Sequence, residues 1–315
     1  MINMNKKTIL TISSANMDLN MRVPEAPAKG QTVFGSSYRY VPGGKGANSA
    51  VTLAKLGAES VFCTALGNDA NGDTLKSLYK DYGINTEYIL TTENAPTGLA
   101  AVTVEADGAN RITVFSGANS LLSPEHAVKS IQKSRPDAVF CHFEIPFETV
   151  CAASECCSGS GIPLFIDAGP ADASLPLSEI SPVFVFSPNE TETEIFTGIA
   201  PTDEKSCVLA CEKLSELVKA RYYVIKLGAR GVGVYDEGKF TIVPTYDVKV
   251  VDTTAAGDSF TAAMTLEYIC SKDILRACRY GNAVASVTVS RPGAGESVPT
   301  VSELERFLRE NGISL

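Results

Sequence analysis

Val251-Asp252-Thr253-Thr254-Ala255-Ala256-Gly257-Asp258-Ser259-Phe260 is the stretch on which the reading of this chain turns. It opens on β-branched residues (Val248, Val250, Val251), passes through small ones and enters a helical pattern. Phe260, Ala263, Met264, Leu266 and Ile269 recur at three- and four-residue intervals, the period of an apolar helix face. Ala255, Ala256 and Gly257 leave backbone N–H groups uncovered at the start of that helix, and such a terminus attracts anions. Asp258 then falls in the first turn. There it is either an ordinary acid stabilising a helix end or a base beside an anion cradle, the pair phosphoryl transfer requires.

Outward from this stretch, strand-like and helix-like segments alternate. Residues 8–12, 61–66, 138–141, 163–167, 183–186 and 222–226 read as strands, several of them short apolar runs buried on both faces. Helical periodicity covers 71–82, 124–133, 273–289 and 302–309. That alternation predicts an α/β fold, a three-layer sandwich around a mostly parallel sheet. Two excursions lack helices. Residues 32–41 alternate like a strand, and 98–104 and 111–115 are strand-like runs joined by Asp107-Gly-Ala-Asn110, a hairpin signal. They predict a small separate β-sheet, a lid formed at about 19–42 and 95–117, within one domain over 1–315.

Gly43-Gly-Lys-Gly46-Ala-Asn48 opens a second helix, ended by Gly57. Its glycines admit a ligand close to the backbone, while Lys45 and Asn48 offer charge and hydrogen bonds. The alternative is a plain glycine turn. Polar residues also follow strands: Ser13 to Asp18, Glu144, Asp167 and Asn189 to Glu192. Asn189 and Glu192, three apart at a helix start, suit a capping box and, compatibly, a hydrated Mg²⁺. For Asn16 and Asp18 a turn in a loop is the plainer reading.

A net charge of −9, from 27 Lys+Arg and 36 Asp+Glu, argues against a nucleic-acid binder. No run of about 18 apolar residues predicts a membrane span, and the first residues are too short and polar an apolar stretch for a signal peptide. Nine scattered cysteines and two histidines give no zinc spacing, so free thiols in a reducing cytoplasm are expected.

Taken together and in this order, GGKGANSAVTLAKLGA (43–58) and DTTAAGDSF (252–260) resemble the ribokinase-like, phosphofructokinase-B type, carbohydrate kinase family. The likeness extends over SGANSLLSP (116–124), FEIPFE (143–148) and SPNETE (187–192), and so over nearly the whole chain. The resemblance implies an ATP-dependent kinase phosphorylating a primary hydroxyl of a small sugar, with D-ribose expected. It implies sugar binding by Asn16, Asp18, Gly44, Lys45, Asn48 and Glu144, with Asp258 as general base. Ala255, Ala256 and Gly257 would form the anion hole. Asn189 and Glu192 would organise Mg²⁺–ATP through water, and Lys226, Gly228, Gly231 and Asn282 would line the nucleotide. A potassium ion would take oxygens from Asp252, Thr254, Thr288, Arg291, Gly293 and Ser297. Ser13, Asp167 and Lys226 depart from the pattern of the ribose-phosphorylating members, which more often carry Gly, Asn and Thr. A fructose-type hexose kinase or a nucleoside kinase is the alternative within the family; a catalytically silent sugar-binding regulator is the alternative outside enzymes. Apolar residues on the lid (Val33, Phe34, Tyr38, Tyr40, Leu99, Val102) predict a homodimer through it.

Overall fold

The structure, a computed structural model, describes residues 6–314; residues 1–5, which head the N-terminal stretch considered above, lie outside it. In chain order the elements are β1 (Thr8–Ile12), β2 (Asn16–Arg22), β3 (Ser37–Gly43), α1 (Lys45–Lys55), β4 (Glu59–Gly67) and α2 (Ala70–Asp81). Then come β5 (Ile89–Thr92), β6 (Leu99–Val104), β7 (Asn110–Phe115), α3 (Pro124–Ser134), β8 (Ala138–Cys141), α4 (Phe147–Ser160) and β9 (Leu164–Asp167). They are followed by β10 (Val183–Ser187), α5 (Glu190–Thr197), α6 (Glu204–Leu217), β11 (Ala220–Lys226), β12 (Val232–Asp236) and β13 (Lys239–Val243). Three helices close the chain: α7 (Ala256–Ser271), α8 (Ile274–Val289) and α9 (Val301–Glu310).

Nine strands form the main sheet in the order β13-β12-β11-β10-β9-β8-β1-β4-β5. Pairing is parallel from β11 to β5, and the β11–β12–β13 edge is antiparallel. The strands are apolar on both sides because each side is covered. In β1, Leu10 and Ile12 join a core with α3, α4 and α6, while Ile9 faces the opposite core with α7 and α8. Burying a Leu- or Phe-sized side chain contributes roughly 1.5–3 kcal/mol, so strands with two buried faces anchor the fold. Helix α7 is buried without a break from Asp258 to Leu266, which a surface helix could not be.

A second sheet, ordered β3-β2-β6-β7, stands apart from the first. It is the small sheet expected from the helix-free excursions, with two corrections. Asn16 to Asp18 are not in a turn but begin β2, pairing with Pro42, Gly43 and Val41 of β3. The strand expected over 32–41 lies at Ser37–Gly43, because pairing with β2 starts at Arg22↔Ser37 and leaves 32–36 without a partner strand. Residues 248–251, β-branched though they are, form no strand, having no sheet neighbour. Short β5 and the helices α4 and α6 had no distinct signal above. In α4 a run of Cys, Ser and Ala blurs the periodicity.

Candidate active site

The main sheet has its switch point between β1 and β8: the chain runs from β1 out to β4 and β5, then returns to β8 and proceeds the other way. In open α/β sheets the crevice at the C-terminal ends of such strands is where ligands bind. The strand-end residues of β1, β8, β9, β10 and β11 converge there, which is why sites scattered from 13 to 226 meet.

On the β1 and β8 side, Ser14 Oγ donates to Glu144 Oε2 (2.5 Å) and the Lys45 backbone N–H to the same oxygen (3.3 Å). Asn16 Oδ1 accepts from Asn119 Nδ2 (2.8 Å), and Asn119 also clasps the Ala15 backbone through both its amide atoms. Asp18 projects under Gly43, where a Cβ would lie 2.2 Å from Asp18 Oδ2. Gly44 has φ +92° and caps α1 so closely that a Cβ would lie 2.9 Å from the Asn16 nitrogen. This close approach packs the start of α1 against Ala15 and Asn16.

Helix α7 supplies the other wall. Ala255, at φ 61° and ψ 9°, turns the chain into the helix, and no side chain caps it. Ala256 N–H is taken by Thr253 O and Ser259 N–H by Ala255 O, so the N–H groups of Gly257 and Asp258 precede the first intrahelical bonds. Asp258, 6% exposed, accepts from Asn48 Nδ2 at 2.8 Å and has Lys45 Nζ at 3.7 Å. Asp258 in turn raises the Lys45 pKa above its ordinary value. A carboxylate held this way, next to free N–H groups, can accept a proton from a hydroxyl while an anion rests on the helix end.

Beneath Asp258 lies a buried charge cluster. His142 Nε2 is 3.8 Å from Asp258 Oδ1 and has no hydrogen-bond partner among the described residues, while its Nδ1 lies 3.0 Å from Ser13 Oγ. Burial drives the His142 pKa down, outweighing Asp167 and Asp258, and keeps the ring neutral. Asp167 is salt-bridged to Lys226 (2.5 Å) and accepts from Thr261 Oγ1 (2.7 Å). Burial opposes ionisation of Asp167, but the ammonium groups of Lys226 and Lys45 outweigh it and hold the carboxyl below its usual range. One ligand atom from each of His142, Asp167 and Asp258 falls within 4.8 Å of the others. The ammonium groups of Lys226 and Lys45 already balance the two carboxylates there.

A cleft of about 820 Å³ opens from this point along α7 and α8. It is lined by Asn189, Glu192, Lys226, Gly228, Gly231, Ala255, Ala256, Gly257, Asp258 and Asn282, together with Tyr246, Val248, Val250 and Val289. Its size, the glycines of the β11–β12 connection, the apolar wall and the bare helix end fit a nucleoside triphosphate. Asn189 and Glu192 form the expected capping box on α5: Asn189 Oδ1 accepts from Glu192 N (2.8 Å) and Glu192 Oε2 from Asn189 N (2.7 Å). The box fixes the carboxylate with oxygen lone pairs to spare, which fits a hydrated Mg²⁺. Asn282 lines the cleft, though its amide nitrogen is held by the carbonyls of Val243 and Pro244.

Of the residues assigned to a monovalent cation, Thr254 and Gly293 meet at the Asp252 carboxylate. Asp252 accepts from Thr254 N–H and Oγ1 and from Gly293 N–H, and its backbone N–H meets Val289 O. Arg291 N–H reaches Thr288 O, and Ser297 closes onto Ala294 O. Burial opposes ionisation of Asp252, but the Thr254 hydrogen bonds prevail and hold its pKa low. The loop therefore presents an ionised carboxylate braced by Thr254 and Gly293. Residues with no role in the sequence reading are Asn119, Thr261 and His142. Asn119 sits within a quoted motif, yet only the fold brings it against Asn16.

The fold and this arrangement define a phosphotransferase acting on an alcohol. The pattern of the pfkB family carbohydrate kinases matches residues 6–301, and the chain belongs to that family. It is an ATP-dependent carbohydrate kinase. It is similar to the ribokinase of Haemophilus influenzae, 35% identical over 306 residues (96% of this chain, 99% of that one). It is 34% identical to the ribokinase of Bacillus subtilis over 303 residues, again 96% and 99% of the two chains. The structure of Arabidopsis thaliana ribokinase complexed with ribose and ATP superposes with a TM-score of 0.87, at 29% identity, over 96% of this chain and 99% of that one.

Proposed function

We propose that this chain phosphorylates the primary hydroxyl of D-ribose, giving ribose 5-phosphate and ADP. The observation that carries this reading is Asp258, fixed by Asn48 between the hydroxyl-binding side and the bare N–H groups of α7. Asp258 accepts the hydroxyl proton, the sugar oxygen forms its bond to the γ-phosphorus, and the bond to the ADP oxygen breaks. The N–H groups of Gly257 and Asp258 stabilise the charge on the phosphoryl oxygens. Mg²⁺, held through water by Asn189 and Glu192, would neutralise phosphate charge. Potassium at Asp252, Thr254, Thr288, Arg291, Gly293 and Ser297 would brace the loop leading into Ala255.

Asn16, Asp18, Asn48 and Glu144 favour a neutral polyol, since they offer acceptors and amides with Lys45 the one cation of that set among the described residues. A phosphorylated acceptor would meet repulsion. The small sheet serves as a lid that excludes water, and its exposed Tyr38 (72%) and Tyr40 (56%), with Phe34 (91%) in the loop before β3, support pairing of two lids in a homodimer. Nine free thiols, most of them buried, support a reducing cytoplasm. No described helix is long and apolar enough to cross a membrane.

The test is ADP release with Mg²⁺–ATP against D-ribose, 2-deoxyribose, fructose and nucleosides, with and without K⁺. Calorimetry of sugar binding to Asp258→Asn accompanies it. Turnover on ribose, lost in a variant that still binds ribose, is the expected result. Preference for a hexose or nucleoside refutes the substrate, and absence of turnover in a protein that binds ribose refutes the enzyme reading.

A further inference from the structure

Lys226 stands where a cation is costly. Its Nζ is 3.6 Å from the place a Cβ on Gly257 would occupy, beside the N-terminus of α7, and its side chain is only 12% exposed. The positive end of a helix repels an ammonium group, and burial strips its water. Asp167, at the end of β9, offsets both by its 2.5 Å contact with Lys226. Thr261 Oγ1 donates to the other Asp167 oxygen at 2.7 Å and lies 3.1 Å from Gly257 O, so the pair is tied to the turn that forms the anion cradle. An ammonium has three donors, and one contact to Asp167 leaves others toward the cleft that Lys226 lines.

An ion pair built against the helix field is organised for an anion arriving at the helix end. From this geometry we infer that Lys226 is a catalytic residue contacting the phosphoryl group in transit, and that Asp167 is the positioning residue that aims it. This rests on the kinase reading above and adds to it. During transfer the charge spreads over the three equatorial oxygens, and a preplaced ammonium gains most at that moment. A divalent ion held by His142, Asp167 and Asp258 is the competing use of the same cluster. It is disfavoured because Lys226 and Lys45 already compensate both carboxylates.

The experiment compares wild type, Lys226→Met and the double variant Asp167→Asn/Lys226→Met, which removes both buried charges together and so keeps the fold falsifiably testable. Steady-state kinetics is read beside calorimetric binding of ADP with and without aluminium fluoride in the presence of the sugar. Both variants should lose about 10²-fold in kcat with the sugar KM changed less than about 3-fold. The gain in ADP affinity that aluminium fluoride confers should fall by a similar factor, while binding of ADP alone falls by a much smaller one. Asp167→Asn alone should lower kcat about 10-fold and leave sugar KM unchanged. A double variant with wild-type kcat would show the pair to be structural and overturn the inference. So would a tight Mn²⁺ site in the nucleotide-free protein that is lost in Asp167→Asn. Failure of the wild type itself to turn over any sugar would instead sink the kinase reading.

Discussion

On the proposed reading Asp18 should make sugar binding sensitive to pH, and the direction and size follow from its surroundings. Its Oδ1 is buried without a partner among the described residues, and its Oδ2 lies under Gly43. Burial first, then the charge of Glu144, push its pKa from 3.8 up to about 7, against a smaller pull from the Ala100 backbone. Without ligand the carboxyl is therefore half protonated near neutrality. Sugar hydroxyls donating to Asp18 favour the ionised form. If they draw its pKa to about 5, affinity at pH 5 is roughly 50-fold weaker than at pH 8, about 2.3 kcal/mol. The loss occurs as pH falls below about 7, and above it affinity is flat. Stability of the ligand-free protein runs the other way. A folded pKa raised above the unfolded value contributes stability present below about 4, which is lost as pH rises through about 7. Calorimetry of D-ribose binding from pH 5 to 8, in buffers of differing ionisation enthalpy, should show proton release approaching one per sugar near pH 6. Asp18→Asn should bind more weakly and without pH dependence. A ribose affinity constant across this range, or a pH dependence retained in Asp18→Asn, would refute the reasoning.

Asp258→Asn should lower kcat by about 10²–10⁴-fold, the usual worth of a positioned general base. A smaller loss in single-turnover assays would move the proton elsewhere. Ala255 occupies the left-handed region, which a β-carbon disfavours by roughly 1–2 kcal/mol, less about 0.5–1 kcal/mol for the added freedom of glycine. Ala255→Gly should thus raise the melting temperature by about 2 °C with kcat retained, and a fall would contradict the strain. Tyr40→Glu places a charge on the exposed face of the small sheet. It should convert a dimer to monomers in sedimentation while leaving the monomer folded, and an unchanged sedimentation profile would place any interface elsewhere.

The stretch from Val251 to Phe260 disclosed the helix start, its bare N–H groups and the acid in its first turn. All are local properties, set by side-chain size and by apolar spacing along one helix. The glycines at 43–46 were legible for the same reason, and so was the capping box at Asn189 and Glu192. The central strands of the main sheet (β1, β4 and β8 to β11) could be read because burial on both faces demands nearly unbroken apolar runs. Strand β2 was not legible, since Asn16 to Asp18 are turn formers that pair only because β3 and β6 lie on either side of them. Helices α4 and α6 were hidden by small and polar residues whose packing depends on the sheet beneath.

In the site, sequence determined which chemical groups are present, and tertiary structure decided which of them act on one another. Asn48 meets Asp258 across 210 residues, and Lys226 meets Asp167 across 59. Sequence spacing carries no information about such contacts, because they arise where the ends of parallel strands are gathered at one edge of the sheet. Charge strengths follow the same division. Asp18, Asp167 and Asp252 are one residue type, yet burial beside Glu144, pairing with Lys226 and hydrogen bonds from Thr254 pull their acidities apart. Composition fixes the number of carboxylates; the folded surroundings fix what each one can do.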